Sequence, residues 1–188
     1  GTFTGLTGIF YYQSLQYVDA SFAVLLLFQF TWMGLALDFV RYGRKPRPAQ
    51  LAGAVVVWIG TLFASGLLFA GQGMADVSWG GIGLGLLAAA CYTLFIHFSG
   101  SVAVSVPASL RSAWMLTGAA IIVMAFYPPQ FLWSGALAEG LWVWAVVLGV
   151  FGMIVPPYLF AKGAPALTTS LTAILGAVEL PVVLVCST

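Results

Sequence analysis

Residues 21–71 read "SFAVLLLFQFTWMGLALDFV" (21–40), "RYGRKPRPAQ" (41–50) and "LAGAVVVWIGTLFASGLLFAG" (51–71). The first and third pieces are apolar runs about as long as a membrane-crossing helix, which needs about 20 residues to traverse roughly 30 Å of hydrocarbon. Between them the chain places four of its six basic residues, Arg41, Arg44, Lys45 and Arg47. Two spanning runs around a short basic loop predict a helical hairpin crossing a bilayer twice. A barrel strand would instead alternate apolar and polar residues over about ten positions. Blocks such as "FAVLLLFQF" and "AGAVVVWIG" do not.

The rest of the chain repeats this pattern. Hydrophobic residues make up 62% of it and charged residues 6%, with a mean hydropathy of +1.06. A water-soluble domain carries about 25% charged residues, so this composition excludes a water-facing surface. It predicts an all-α integral membrane protein, a multi-spanning helical bundle. Expected spans run 2–17, 20–40, 49–71, 80–98, 109–127, 141–161 and 167–187. The connections are tight and rich in Gly, Pro and Ser, which leaves no room for an inserted soluble domain. The chain opens without Met or a signal-peptide pattern and stops inside an apolar run, as a piece cut from a longer protein would.

Threading these spans alternately through a bilayer puts all six basic residues on one side, because Arg111 opens the fifth span and Lys162 closes the sixth. Asp19, Asp76 and Glu139 fall on the other side, and Asp38 sits beside the basic loop. Lys and Arg are retained in the cytoplasm, so the loop at 41–47 is expected inside. Trp79, Trp133, Trp142 and Trp144 then lie near the outer ends of spans, where amphipathic rings favour the interface.

An internal similarity follows. "YYQSLQYVDASFAVLLLFQFTWMGL" (11–35) and "YLFAKGAPALTTSLTAILGAVELPVVL" (158–184) each hold the end of a span, a short turn, a Ser and a long apolar helix. Aligning Ser21 with Ser170 sets Phe30 against Glu179. The copies start five spans apart, an odd number, so they point in opposite directions. Inverted repeats are an architecture of secondary transporters. The division is residues 1–71, the last three spans of a first repeat, and 72–188, four spans of the second.

The pattern resembles the EamA-type members of the drug/metabolite transporter superfamily. The residues carrying it are "SLQYVDASFAVLLLFQFTWMGLAL", "QLAGAVVVWIGTLFAS" and "TTSLTAILGAVELPVVL", the last with a Glu179-Leu180-Pro181 element. The resemblance implies ten helices in two inverted repeats of five, of which this chain holds helices three to nine. It also implies an inner-membrane carrier, in the exporting direction, of small organic metabolites, amino acids or drug-like compounds. Family members often have a Glu after the fourth helix. This chain has "RYGRKPRP" there, so no role of that acid carries over.

Few residues are equipped for chemistry. Glu179 lies midway along its span, where a charged carboxylate costs about 3 kcal/mol on insertion scales. It is either a site for a coupling proton or a substrate ammonium, or a neutral acid bonded to backbone loosened by Pro181. Gln29 sits at the equivalent depth in the first copy, with Trp32 on the same helical face at i+3. Tyr12, Tyr92 and Trp114 are further candidates for a substrate cavity, with Tyr11 and Gln13 behind them. His97, the only histidine, reads as interfacial packing or a proton relay, and Arg111 as a side chain snorkelling to headgroups. Pro156 and Pro157 predict a kinked or broken sixth span, and Gly81, Gly85, Ala88 and Ala89 a close helix contact.

No cofactor and no metal site is expected. Cys91 and Cys186 stand alone in apolar runs as small core residues. The phosphate loop GxxxxGK[ST] is absent, and so is HExxH. An intramembrane enzyme would need a second acid, a nucleophile or a metal cluster at the depth of Glu179. A channel would show rings of like charge or a filter sequence. The expected partners are the bilayer and a small solute, with no nucleic acid and with a homodimer allowed. A non-transporting assembly subunit or a channel is the alternative to a carrier.

Overall fold

Apolar runs form helices in a computed structural model of the chain, which describes residues 1–43, 45–64, 78–128, 140 and 142–176. The elements are α1 (Thr2–Ser14), α2 (Ala20–Leu27), α3 (Phe30–Tyr42), α4 (Pro48–Ala64), α5 (Trp79–Ser101), α6 (Ala108–Phe126) and α7 (Trp142–Leu148). A π-helical stretch (Gly149–Ile154) leads into α8 (Val155–Gly163), then a 3-10 turn (Ala164–Ala166) and α9 (Thr169–Gly176). Among the described residues every regular element is helical.

Among the described residues, four helices are long and apolar enough to cross a membrane: Phe22–Tyr42, Trp79–Ser101, Ala108–Phe126 and Trp142–Ala166. Pro48–Gly60 is a shorter apolar helix. The expected first span forms α1, whose 13 residues cover about 20 Å at 1.5 Å each. The expected last span is described only as far as Gly176.

Local chemistry sets the boundaries. Gly43 ends α3 in the left-handed region (φ 61°), where a Cβ would be strained, and its N–H closes on Phe39 O at 2.9 Å. Pro48 opens α4 at the first helical position, where its missing N–H costs nothing. Gln50, three residues after Arg47, turns back to accept the Arg47 N–H at 2.9 Å, the reach-back half of a capping box.

At Pro156 and Pro157 the expected kinked or broken span is not one continuous α-helix. The helix widens to π geometry over Gly149–Ile154 and resumes as α8 with the prolines in its first turn. Neither proline has an N–H to return to residues 152 and 153. The wider turn carries the chain past both without an abrupt stop.

The packing centres on α5. Gly81 and Gly85 let the α1–α2 segment lie directly on it: a Cβ on Gly81 would fall 2.7 Å from Tyr17 Cβ, and one on Gly85 2.7 Å from Leu26 Cδ1. Ala88 and Ala89 beyond them are fully buried. The stripe expected to allow a close contact makes one. α1 runs antiparallel to α5, with Phe3 stacked on Phe98 and Tyr17 beside Gly81. α2 and α3 run parallel to α5, from Leu26 at Gly85 to Tyr42 at His97. An aromatic cluster of Phe30, Tyr92, Phe95 and Phe160 ties α3, α5 and α8 together. From α7 through α8 only Pro157 and Ala161 are buried, so that span turns a largely apolar surface outward, with Lys162 at its end the one charged residue.

Candidate functional site

Between α2 and α3 the helical ladder shifts by one residue. The N–H of Gln29 donates to Leu26 O at 3.1 Å and that of Thr31 to Phe28 O at 3.2 Å, both i to i−3 bonds. In an unbroken α-helix Gln29 N–H would serve Leu25 O. The Gln29 side chain takes that place, its Nε2 donating to Leu25 O at 3.0 Å. Its amide oxygen then accepts two indole N–H groups, from Trp32 and Trp58, each at 2.8 Å. An amide oxygen has two lone pairs, so the buried Gln29 carbonyl is fully engaged. The structure brings Gln29 and Trp32 together, as their i, i+3 spacing implies, and adds Trp58 from α4. Both rings stay partly exposed, so they form a two-indole platform held by one amide.

The remaining candidates are dispersed. Tyr92 belongs to the aromatic cluster, its ring 4.8 Å from Phe30. Tyr12 and Trp114 are 71% and 70% exposed. Tyr11 packs edge-on against Tyr12, and Gln13 donates to the Tyr127 hydroxyl at 2.9 Å. Pro156 and Pro157 stand in α8 as described above. Glu179 and Pro181 lie outside the described residues, as does Cys186. Cys91 is a free, half-buried thiol.

The densest polar structure forms where α3 and α5 end and α4, α6 and α9 begin. α9 is capped by two different chain segments. Thr168 Oγ1 accepts the Leu171 N–H at 3.3 Å, the bond an N-cap hydroxyl makes to the third helical residue. Asp38 Oδ2, reaching across from α3, accepts the Ser170 N–H at 2.9 Å. Gln50 Nε2 donates to Ser170 Oγ at 3.0 Å, so α4 is tied to the same turn. On the α5 side, His97 Nδ1 and Thr169 Oγ1 are 3.0 Å apart. Beside this network lies a cavity of about 160 Å³ lined by Asp38, Tyr42, His97, Ser101, Thr169 and Thr172, among others.

Arg111 stands next to it and does not snorkel. It is 5% exposed, and its guanidinium donates to the carbonyls of Ser99 and, at 2.7 Å, of Ala161. Both carbonyls lie in the last turns of their helices, α5 and α8, where no N–H follows to satisfy them. Helix carboxyl ends carry partial negative charge. Two of them compensate a buried cation that has no ion pair among the described residues.

Of these residues, the sequence placed Asp38 beside the basic loop without a role and singled out Ser170 only as the partner of Ser21 in the internal similarity, while Gln50, Thr168, Thr169 and Thr172 were given no role. The available signal was the hydroxyl triplet "TTS" (168–170) just before an apolar run, a helix-start pattern. Among the described residues, no group of three His, Cys, Asp or Glu could hold a metal ion.

Among the described residues, fold and site together give a helical protein with four helices long and apolar enough to cross a membrane, one polar, basic end and a capped α3–α9 crossing. Comparison with known protein families, with curated proteins and with solved structures gives no match.

Proposed function

We propose that this chain forms part of a secondary transporter of small organic solutes, of the EamA type its sequence resembles, in which amino acids or drug-like metabolites are exported across an inner membrane. The observation that carries this reading is the arrangement of two helix–turn–helix units around α5. In one, α1 leads through a short turn to α2 and α3. In the other, α8 leads through the 3-10 turn to α9.

α1 is antiparallel to α5 and α3 parallel to it. For α8 and α9 the senses are reversed: Phe160 meets Phe95 and Ala164 meets Gly100, whereas Thr169 meets His97 at the end of α5. Two copies of one motif pointing opposite ways are the geometry of an inverted repeat. Their crossing, Gly34 and Asp38 on Ala173 and Ser170, is then a closed gate at the end bearing Arg41, Arg47 and Arg111, which the positive-inside rule makes cytoplasmic. The Gln29–Trp32–Trp58 platform offers flat apolar area and suits an aromatic or aliphatic solute body.

Counterflow in proteoliposomes tests the reading. Preloading the vesicles with an unlabelled amino-acid mixture accelerates uptake of the labelled mixture, and uptake saturates. Linear uptake indifferent to preloading indicates a channel. No uptake by any vesicle returns the protein to the role of an assembly subunit.

A further inference from the structure

The cavity beside Asp38 has a chemistry of its own. At about 160 Å³ it has room for several waters, each of which needs at least about 10–15 Å³, or for the head of a small organic molecule. Asp38 is 6% exposed. It receives one hydrogen bond, from Ser170, and forms no ion pair among the described residues. A carboxylate offers about four acceptor sites, so one buried partner leaves most of its charge uncompensated.

The wall adds further acceptors. Ser101 gives its hydroxyl proton to His97 O at 2.8 Å, and Thr172 gives its own to Thr168 O at 2.9 Å. With those protons committed to backbone, the two oxygens have only lone pairs left to offer. The carboxyl end of α5, with Gly100 and Ser101, and the 3-10 turn at Ala164 also border the space, and a helix carboxyl end favours positive charge. Opposing this are the amino end of α9, whose Ser170 N–H Asp38 already takes, and the buried Arg111 guanidinium, whose charge is taken up by the Ser99 and Ala161 carbonyls. Arg41, at the exposed end of α3, adds positive charge that is felt at the His97 wall, and the nearby Asp38 offsets it there.

We infer that this cavity binds the protonated primary amine of a small solute, with Asp38 as its counter-ion and the Ser101 and Thr172 hydroxyl oxygens as acceptors for its N–H groups. The chemistry selects for a compact cation that only donates. An anion meets a carboxylate and helix carboxyl ends. A quaternary ammonium has no N–H to give. The site stands whether the amine is transported or acts as an effector, so it does not rest on the transport reading.

The test is calorimetric titration of the purified protein in detergent with methylammonium chloride, with sodium chloride and tetramethylammonium chloride as controls at equal ionic strength. Methylammonium is expected to bind saturably and the controls not at all. Asp38→Asn keeps an oxygen for the Ser170 N–H and removes the charge. It is expected to keep the helical circular dichroism and to weaken methylammonium binding at least about tenfold, as loss of one partner of a buried charged pair does. Thr172→Val, nearly isosteric, is expected to weaken it several-fold. Absence of saturable methylammonium binding, equal saturation by sodium, or unchanged affinity in Asp38→Asn overturns the assignment. If Asp38→Asn does not fold, unchanged affinity in Thr172→Val overturns it. Failed counterflow with intact amine binding overturns the transport reading alone.

Discussion

Asp38 on α3 accepts the N–H of Ser170 on α9 at 2.9 Å, across 132 residues of sequence. The first turn of α9 is therefore only half capped from within: Thr168 serves the Leu171 N–H, and a different helix serves the one before it. The start of α9 is thus capped in part by α3, and one carboxylate adds a polar tie to the close packing of Gly34 on Ala173.

Replacing Asp38 with Ala leaves the Ser170 N–H buried without an acceptor. Loss of a capping side chain costs about 1–2 kcal/mol. Asp38→Asn retains an oxygen of the right reach and costs less than Ala, since Asn and Asp cap about equally well. Thermal unfolding in detergent, followed by tryptophan fluorescence, is expected to rank wild type first, Asn second and Ala last. Equal losses in both variants would mean that charge, and not the acceptor, holds α9.

Gln29 joins Leu25 O, Trp32 and Trp58 through a single amide. Gln29→Leu removes all three bonds and is expected to cost about 1–3 kcal/mol, the penalty of leaving buried polar groups unpaired. Trp58→Phe removes one of the three. In Gln29→Leu that bond is already gone, so the two substitutions should be less than additive in a double-mutant cycle, with a coupling of about 0.5 kcal/mol or more. Strict additivity would mean that the amide and the indole do not interact.

Arg111 holds the carboxyl ends of α5 and α8 with one planar group. Both bonds leave one nitrogen, Nη2; Arg111→Lys keeps the charge but puts a more strongly hydrated ammonium on a shorter stem in its place. Arg111→Met gives up charge and donors together. Each hydrogen bond from a charged group is worth about 1.5–3 kcal/mol, so Met is expected to destabilise more than Lys, and both more than substitution of the exposed Lys162. Melting temperatures of the three variants in one detergent check the order.

The spans were legible because length and hydropathy decide them. An expected helix at 80–98 is Trp79–Ser101, and one at 109–127 is Ala108–Phe126. The close-packing stripe at Gly81 and Gly85 was legible too, since small residues four apart line one face of a helix. The way the span containing Pro156 and Pro157 adapts was not. Hydropathy does not distinguish α from π winding, and two missing N–H groups can be accommodated by either a break or a wider turn.

The pairing of Gln29 with Trp32 follows from spacing within one helix. Trp58 joins them from the next helix, and nothing local points to it. The polar end was illegible for the same reason. Asp38, Gln50 and Ser170 are ordinary residues in their own segments and become a site only where α3 crosses α9. Arg111 was expected at the headgroups because a long side chain near a span end reaches water. Its turn inward depends on two helix carboxyl ends converging beside it, a tertiary fact.

The most direct test of the proposed gate uses Gly34 and Ala173. A Cβ at position 34 lies 3.3 Å from the Ala173 Cβ, close to the roughly 3.8 Å of a disulfide. The double variant Gly34→Cys/Ala173→Cys, made with Cys91 and Cys186 replaced by Ala, is expected to cross-link under mild oxidation in proteoliposomes. If α3 and α9 must part during each transport cycle, oxidation abolishes amino-acid counterflow and a reductant restores it. Counterflow that continues at the reduced rate in fully cross-linked protein would contradict the account.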